Sequence, residues 1–161
     1  MITVEKSVAD ILKKKGFTMT CAESCTGGLI ASRVVNVPGV SEVFKAGFVT
    51  YANEAKQKLL GVREETLIQF GAVSRQTAEE MARGAAKAAE ADVAISVTGI
   101  AGPDGGTKEK PVGLVYIGCY VRGDVLVKEY HFDGDRMQVR QSSAEAALKQ
   151  LLVCLQEQQT I

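Results

Sequence analysis

Tryptophan is absent from this chain, aromatic residues make up only 6% of it, and histidine occurs once, as His131. So few rings argue against a stacking platform for single-stranded nucleic acid. Net charge is lacking too: nineteen basic residues balance nineteen acidic ones. No bulk field therefore draws the chain to nucleic acid or an anionic membrane, and an anion site has to be assembled locally from loop amides or one or two cations. No apolar run approaches the roughly 20 residues of a membrane span. The first fifteen residues form an amphipathic segment and not a signal peptide, so a cytoplasmic location is expected. The four cysteines, Cys21, Cys25, Cys119 and Cys154, show no CxxC spacing, and none lies close to His131 in sequence. Reduced thiols and no structural metal are the expectation.

What is present is one domain's worth of chain. With 161 residues, folding can remove roughly 68–70% of the unfolded surface from water. Repeats, low-complexity stretches and linkers are missing, so residues 1–161 read as a single domain. Val4, Val8, Ile11 and Leu12 recur at helical spacing, with Lys13 to Lys15 before the stop at Gly16. A short strand over residues 17–22 runs into Glu23-Ser24-Cys25-Thr26-Gly27-Gly28 and a helix from Leu29, with Thr26 a candidate N-cap. A strand over 47–51 follows, then helices over 53–60, closed by Gly61, and 63–70, stopped by Gly71. Ser74 caps a longer helix striped with Ala78, Met81, Ala82, Ala85 and Ala89. Residues 92–98 form an apolar strand of the doubly buried kind. Strands over 112–121 and 125–132 make a hairpin about Arg122-Gly123-Asp124, and Asp135 or a neighbour caps a final helix. The order α, β, α, β, α, α, α, β, β, β, α predicts an α/β fold: a three-layer α/β/α sandwich around a mixed sheet of about five strands.

Three glycine-rich or polar loops follow strands directly, at 23–28, 51–56 and 99–107, and ligands in such folds sit beyond the carboxyl ends of parallel strands. The first aims backbone N–H groups and a helix dipole at one point, suiting a phosphate, a carboxylate or a developing oxyanion. The third packs four glycines into eight residues, as a backbone closely approaching a ligand requires, and matches neither a Walker loop nor a dinucleotide fingerprint. Within residues 38–56, Ser41 and Lys56 are fifteen positions apart. If loop, strand and turn fold back they can meet, and a neutral lysine amine beside a serine hydroxyl can take its proton. Arg136 and Arg140 lie four apart at a helix start, against the dipole preference, which invites an anion.

The segments AESCTGG, GFVTYxNxAKxxLLGV, GAVS and SVTGIAGPDGGTxxKPVGLVYIG together cover the chain nearly end to end. They resemble the C-terminal domain of the competence/damage-inducible CinA proteins and the stand-alone nicotinamide mononucleotide (NMN) deamidases of that family. The resemblance implies a three-layer sandwich and hydrolysis of the NMN carboxamide to nicotinic acid mononucleotide and ammonia, in pyridine nucleotide salvage. It implies that Ser41 is the nucleophile, Lys56 its base and Tyr51 an orienting or relaying group. Ser24, Cys25 and Thr98 are implied to lie in the pocket, with Thr26, Gly27, Gly99 and Gly102 of the same motifs beside them. The phosphate is implied to rest on Arg140, with Arg136 as the alternative. The nucleotide pyrophosphatase domain of larger family members has no counterpart in these segments, so that activity is not expected. No cofactor or metal is called for, the partner is the small molecule NMN, and the family suggests a homo-oligomer. Two other readings stay open: a non-catalytic nucleotide-binding module, and Ser24 as the nucleophile in the SCTGG turn.

Overall fold

The computed structural model describes residues 1–158. Six helices and five strands follow in the expected order. The first helix, α1 (Val4–Lys15), begins where the Thr3 hydroxyl accepts from the Lys6 amide and ends at Gly16 in the left-handed region. Then come β1 (Met19–Glu23), α2 (Leu29–Val34), a single 3₁₀ turn (Val40–Glu42) and β2 (Phe44–Val49). They are followed by α3 (Asn53–Leu60), α4 (Glu64–Phe70), α5 (Arg75–Ala89), β3 (Val93–Gly99), β4 (Leu114–Val121), β5 (Asp124–His131) and α6 (Arg136–Glu157). Among the described residues no helix is long and apolar enough to cross a membrane.

The strands form one mixed sheet in the order β2-β1-β3-β4-β5. β1 lies parallel to both β2 and β3, and β4 and β5 continue antiparallel. Side chains alternate across the sheet, and the two faces carry separate cores. Val93, Ile95 and Val97 of β3 and Val115, Ile117 and Cys119 of β4 join a core with α1, α2 and α6. Ala22 and Ala94 face the other way, onto Met81 and Ala85 of α5 and Leu60 at the end of α3. The small-residue stripe of α5 is what allows that close approach: a Cβ on Gly84 would stand 1.7 Å from the Leu60 carbonyl oxygen. The hairpin turn is Arg122-Gly123, both at positive φ (45° and 107°), as the tight turns that match strand twist require.

Several boundaries shift by a residue or two from the sequence reading, and three differences bear on the site. β2 covers Phe44–Val49 and not 47–51. As an edge strand it alternates half-buried and exposed positions, so Phe44 and Ala46 belong to it while Tyr51 lies past its end. β1 starts two residues later than expected and includes Glu23. Thr26 is not the cap of α2. Gly28 holds the N-cap position without a side-chain bond, the Thr26 hydroxyl has no partner, and the buried Glu23 carboxylate accepts from the Ile30 and Ala31 amides at 2.9 and 3.1 Å.

Candidate active site

Register builds the site. Glu23 pairs with Val49 on one side and Val97 on the other, so the next residue of each strand, Ser24, Thr50 and Thr98, emerges side by side at the carboxyl edge of the sheet. The Ser24 amide donates to the Val97 carbonyl and the Thr50 amide to the Glu23 carbonyl, both at 2.9 Å, which pins the edge in place. α3 starts three residues after Thr50, and its second turn carries Lys56 back over this edge.

The Lys56 side chain is 1% exposed. Its Nζ donates to the Thr50 carbonyl at 2.7 Å and to Ser24 Oγ at 3.0 Å, with the Tyr51 carbonyl at 3.4 Å. All three partners are neutral, and no carboxylate bonds the ammonium. Burial therefore dominates and lowers the lysine to about 8, opposed by the Cys25 sulfur. A fraction of the amine is neutral near pH 7 and lies within proton-transfer reach of a serine hydroxyl. Cys25, next to Ser24, goes the other way: burial pushes its thiol up to about 11, leaving a neutral, weakly nucleophilic wall.

These groups open into a cavity of ≈ 280 Å³. Its lining includes Ser24, Tyr51, Asn53 and Lys56, together with Thr98 and the glycine-rich loop with Asp104. Thr98 donates to the Ala72 carbonyl at 2.8 Å. Two glycines here leave no room for a side chain: a Cβ on Gly99 would meet Val115 Cγ2 at 2.6 Å, and one on Gly102, at φ 82°, would meet Val112 Cγ1 at 2.4 Å. Arg136 closes the mouth, donating to the Gly102 carbonyl at 2.7 Å and to the Tyr51 hydroxyl at 3.0 Å.

The profile of the CinA C-terminal domain matches residues 1–155. The chain belongs to the CinA C-terminal domain family. It is 57% identical over 146 residues to a CinA-like protein of Kosmotoga olearia, covering 91% of this chain and 35% of that protein; the chain thus spans about a third of the length of the curated relatives it matches. A solved competence/damage inducible protein of Agrobacterium tumefaciens superposes with a TM-score of 0.88 at 46% identity, covering 95% of both chains. A CinA superfamily protein of Klebsiella pneumoniae gives 0.92 at 35% identity, covering 96% of both. CinA membership is consistent with an enzyme.

Within this CinA domain Ser24, Cys25, Tyr51, Lys56, Thr98, Gly99 and Gly102 line the cavity; Thr26 and Gly27 continue the Ser24 turn outside that lining, and two further residues expected there lie elsewhere. Ser41 is exposed, in the 3₁₀ turn before β2. β2 is extended and parallel to β1, so it carries the chain roughly 20 Å from Ser41 to Thr50 at about 3.3 Å per residue. Ser41 and Lys56 thus lie at opposite ends of the sheet, and the expected meeting does not occur because the intervening strand does not fold back. Arg140 is the second. Its Nε donates to the Cys25 carbonyl at 3.0 Å and its Nη2 to the Thr26 carbonyl at 3.1 Å. Its fork therefore clamps the Ser24 turn from behind, while Arg136 faces the cavity. Gly27 lies against that clamp, where a Cβ would stand 3.3 Å from Arg140 Nη2. The Tyr51 phenol bonds Arg136, and only the Tyr51 carbonyl touches Lys56. Asn53, Asp104 and the capping role of Glu23 escaped the sequence reading. Asn53 stood in the quoted YxNxAK segment, but nothing in the sequence marked Glu23 as a cap seven positions ahead of Ile30. Among the described residues no group of three or more His, Cys, Asp or Glu is placed to hold a metal.

Proposed function

We propose that this domain is an amidohydrolase that converts the carboxamide of nicotinamide mononucleotide to nicotinic acid mononucleotide and ammonia, with Ser24 as the nucleophile and Lys56 as its base. The observation that carries the reading is the 3.0 Å contact between Lys56 Nζ and Ser24 Oγ, made by a lysine buried without a carboxylate partner. Ser24 Oγ attacks the carboxamide carbon as neutral Lys56 takes its proton. The tetrahedral intermediate collapses when the Lys56 ammonium protonates the departing nitrogen, releasing ammonia and leaving an ester on Ser24. Water, deprotonated by Lys56, then attacks the ester and restores the serine. Backbone N–H groups of the Ser24 turn or of the glycine loop receive the oxyanion.

The rest of the cavity supports a mononucleotide. Its volume is small against the roughly 300–1,000 Å³ of ordinary ligand pockets, which favours one nucleotide over two. Arg136 uses two of its five N–H donors on Gly102 and Tyr51 and keeps others for a phosphate at the mouth. Asp104, also in the lining, offers a negative charge to the cationic pyridinium ring. Ammonia release measured with NMN, nicotinamide riboside, nicotinamide and NAD tests the assignment. NMN turnover lost in Ser24→Ala and kept in Ser41→Ala is expected. Retained turnover in Ser24→Ala overturns the nucleophile, and no ammonia from any of the four substrates overturns the activity.

A further inference from the structure

The two cysteines that the proposed chemistry does not use meet at the far end of the sheet. Cys119 lies on β4 and Cys154 on α6, and both line a second cavity of ≈ 370 Å³ with Val121, Leu126 and Glu157. Their proximity follows from how α6 is seated. Gln150 donates to the Ile117 and Leu126 carbonyls at 3.0 and 3.2 Å and accepts from the Tyr130 hydroxyl at 2.8 Å, fixing one point of the helix over β4 and β5. Helix and strand both run away from the catalytic edge. One helical step of four residues, Gln150 to Cys154, advances about 6 Å, and one strand step of two, Ile117 to Cys119, advances about 6.6 Å on the same face. The matched steps bring both cysteines to the wall of that cavity, where each thiol shifts the ionisation of the other.

We propose that Cys119 and Cys154 are a peroxide-responsive thiol pair that closes to a disulfide and staples α6 to the sheet. The Cys154 thiolate attacks one oxygen of a hydroperoxide, the O–O bond breaks, and after protonation water or alcohol leaves with a sulfenic acid on Cys154. The Cys119 sulfur then attacks the Cys154 sulfur. The S–O bond breaks, the hydroxyl departs with the Cys119 proton as water, and the S–S bond forms. Two thiols are thereby oxidised by two electrons in total and one peroxide is reduced by two. The roles follow from the contacts. The neighbouring Cys119 thiol lowers Cys154 and Lys128 adds to that, against burial and Glu157. Cys119 is held in the thiol form, as a resolving partner should be. Cys21 and Cys25, both buried and both pushed up, serve as internal controls.

The test uses the whole chain, treated with hydrogen peroxide at a few molar equivalents, unfolded in an alkylating agent and analysed by intact mass and peptide mapping. The expected result is a loss of two hydrogens, a Cys119–Cys154 crosslinked peptide, full alkylation of Cys21 and Cys25, and a rise of several degrees in Tm that a dithiol reverses. Cys119→Ser should divert Cys154 to sulfinic acid, and Cys154→Ser should remove the reaction. Overoxidised Cys154 beside free Cys119 in the unsubstituted chain, disulfide-linked dimers, or four unmodified thiols would each overturn the proposal. Because the crosslink is read on the unsubstituted chain, a variant that fails to fold does not blunt the test.

Discussion

Burying Lys56 without a counter-ion has a cost that should be visible as a pH-dependent stability. The amine sits at about 8 in the folded chain against 10.5 ordinarily, because burial disfavours its charged form. Between those values the unfolded chain binds more protons than the folded one, so stability must rise with pH across the window from about 8 to 10.5. Below pH 8 the penalty is present in full, and above 10.5 it is gone. A displacement of that size corresponds to about 3 kcal/mol, at about 1.4 kcal/mol per pH unit. Lys56→Met keeps the apolar stem and removes the titration. Urea unfolding curves of wild type and Lys56→Met, followed by far-UV circular dichroism because the chain has no tryptophan, should be measured from pH 7 to 10.5. Other titrating groups are common to both proteins, so the difference isolates Lys56: wild type should gain about 3 kcal/mol on the variant as pH rises through the window. The same ionisation should appear as a rising limb in kcat/KM for ammonia release from NMN, centred near pH 8. Parallel stability curves would refute the buried, uncompensated amine and with it the basis for calling Lys56 a base.

Ser24→Ala should lower NMN turnover at least about a hundredfold, while Ser41→Ala, changed at an exposed site at the other end of β2, should leave it within about twofold; steady-state ammonia assays decide. Arg136→Ala should cut the preference for NMN over nicotinamide riboside about tenfold or more, as loss of a charge-assisted phosphate contact would. Arg140→Ala, by loosening the Ser24 turn, should reduce kcat for both substrates alike. Gly84→Ala forces a methyl onto the Leu60 carbonyl and should destabilise by about 2–3 kcal/mol in chemical denaturation, through separation of α3 from α5.

The fold was legible because its signals are local. Gly16, Gly61 and Gly71 stop helices where a left-handed or extended glycine is needed, Ser74 and Asp135 cap with their side chains, and the apolar run of β3 has no exposed alternative. The site was legible only in part. Ser24, Lys56 and Thr98 each follow or flank a strand end that the sequence revealed, yet which serine meets Lys56 depends on whether the chain between them reverses direction. An edge strand of alternating pattern gives no sign of its partner, and β2 could be placed beside β1 only once register was known. Arg140 shows the same limit: a helix-start arginine looks alike whether it faces a ligand or the carbonyls of a turn 114 positions earlier. The cap supplied by Glu23 was hidden because caps are sought next to the helix, not at the end of the preceding strand.

The sheet edge that carries the proposed Ser24–Lys56 pair also sets an order on how the proposed activity can appear during synthesis. Ser24 and Lys56 both lie within the first sixty residues, but β1 is an interior strand whose other neighbour, β3, begins only at Val93. Until β3 arrives, the Ser24 amide has no Val97 carbonyl to hold it, and α5 has no β3 to pack against. The Arg140 clamp on the same turn comes from the last helix. A ribosome-bound fragment ending near residue 110 would therefore carry the proposed nucleophile, its base and the glycine loop, yet leave the nucleophile's turn unclamped. Competence for chemistry should emerge in one step with the docking of α6, making turnover a reporter of complete folding.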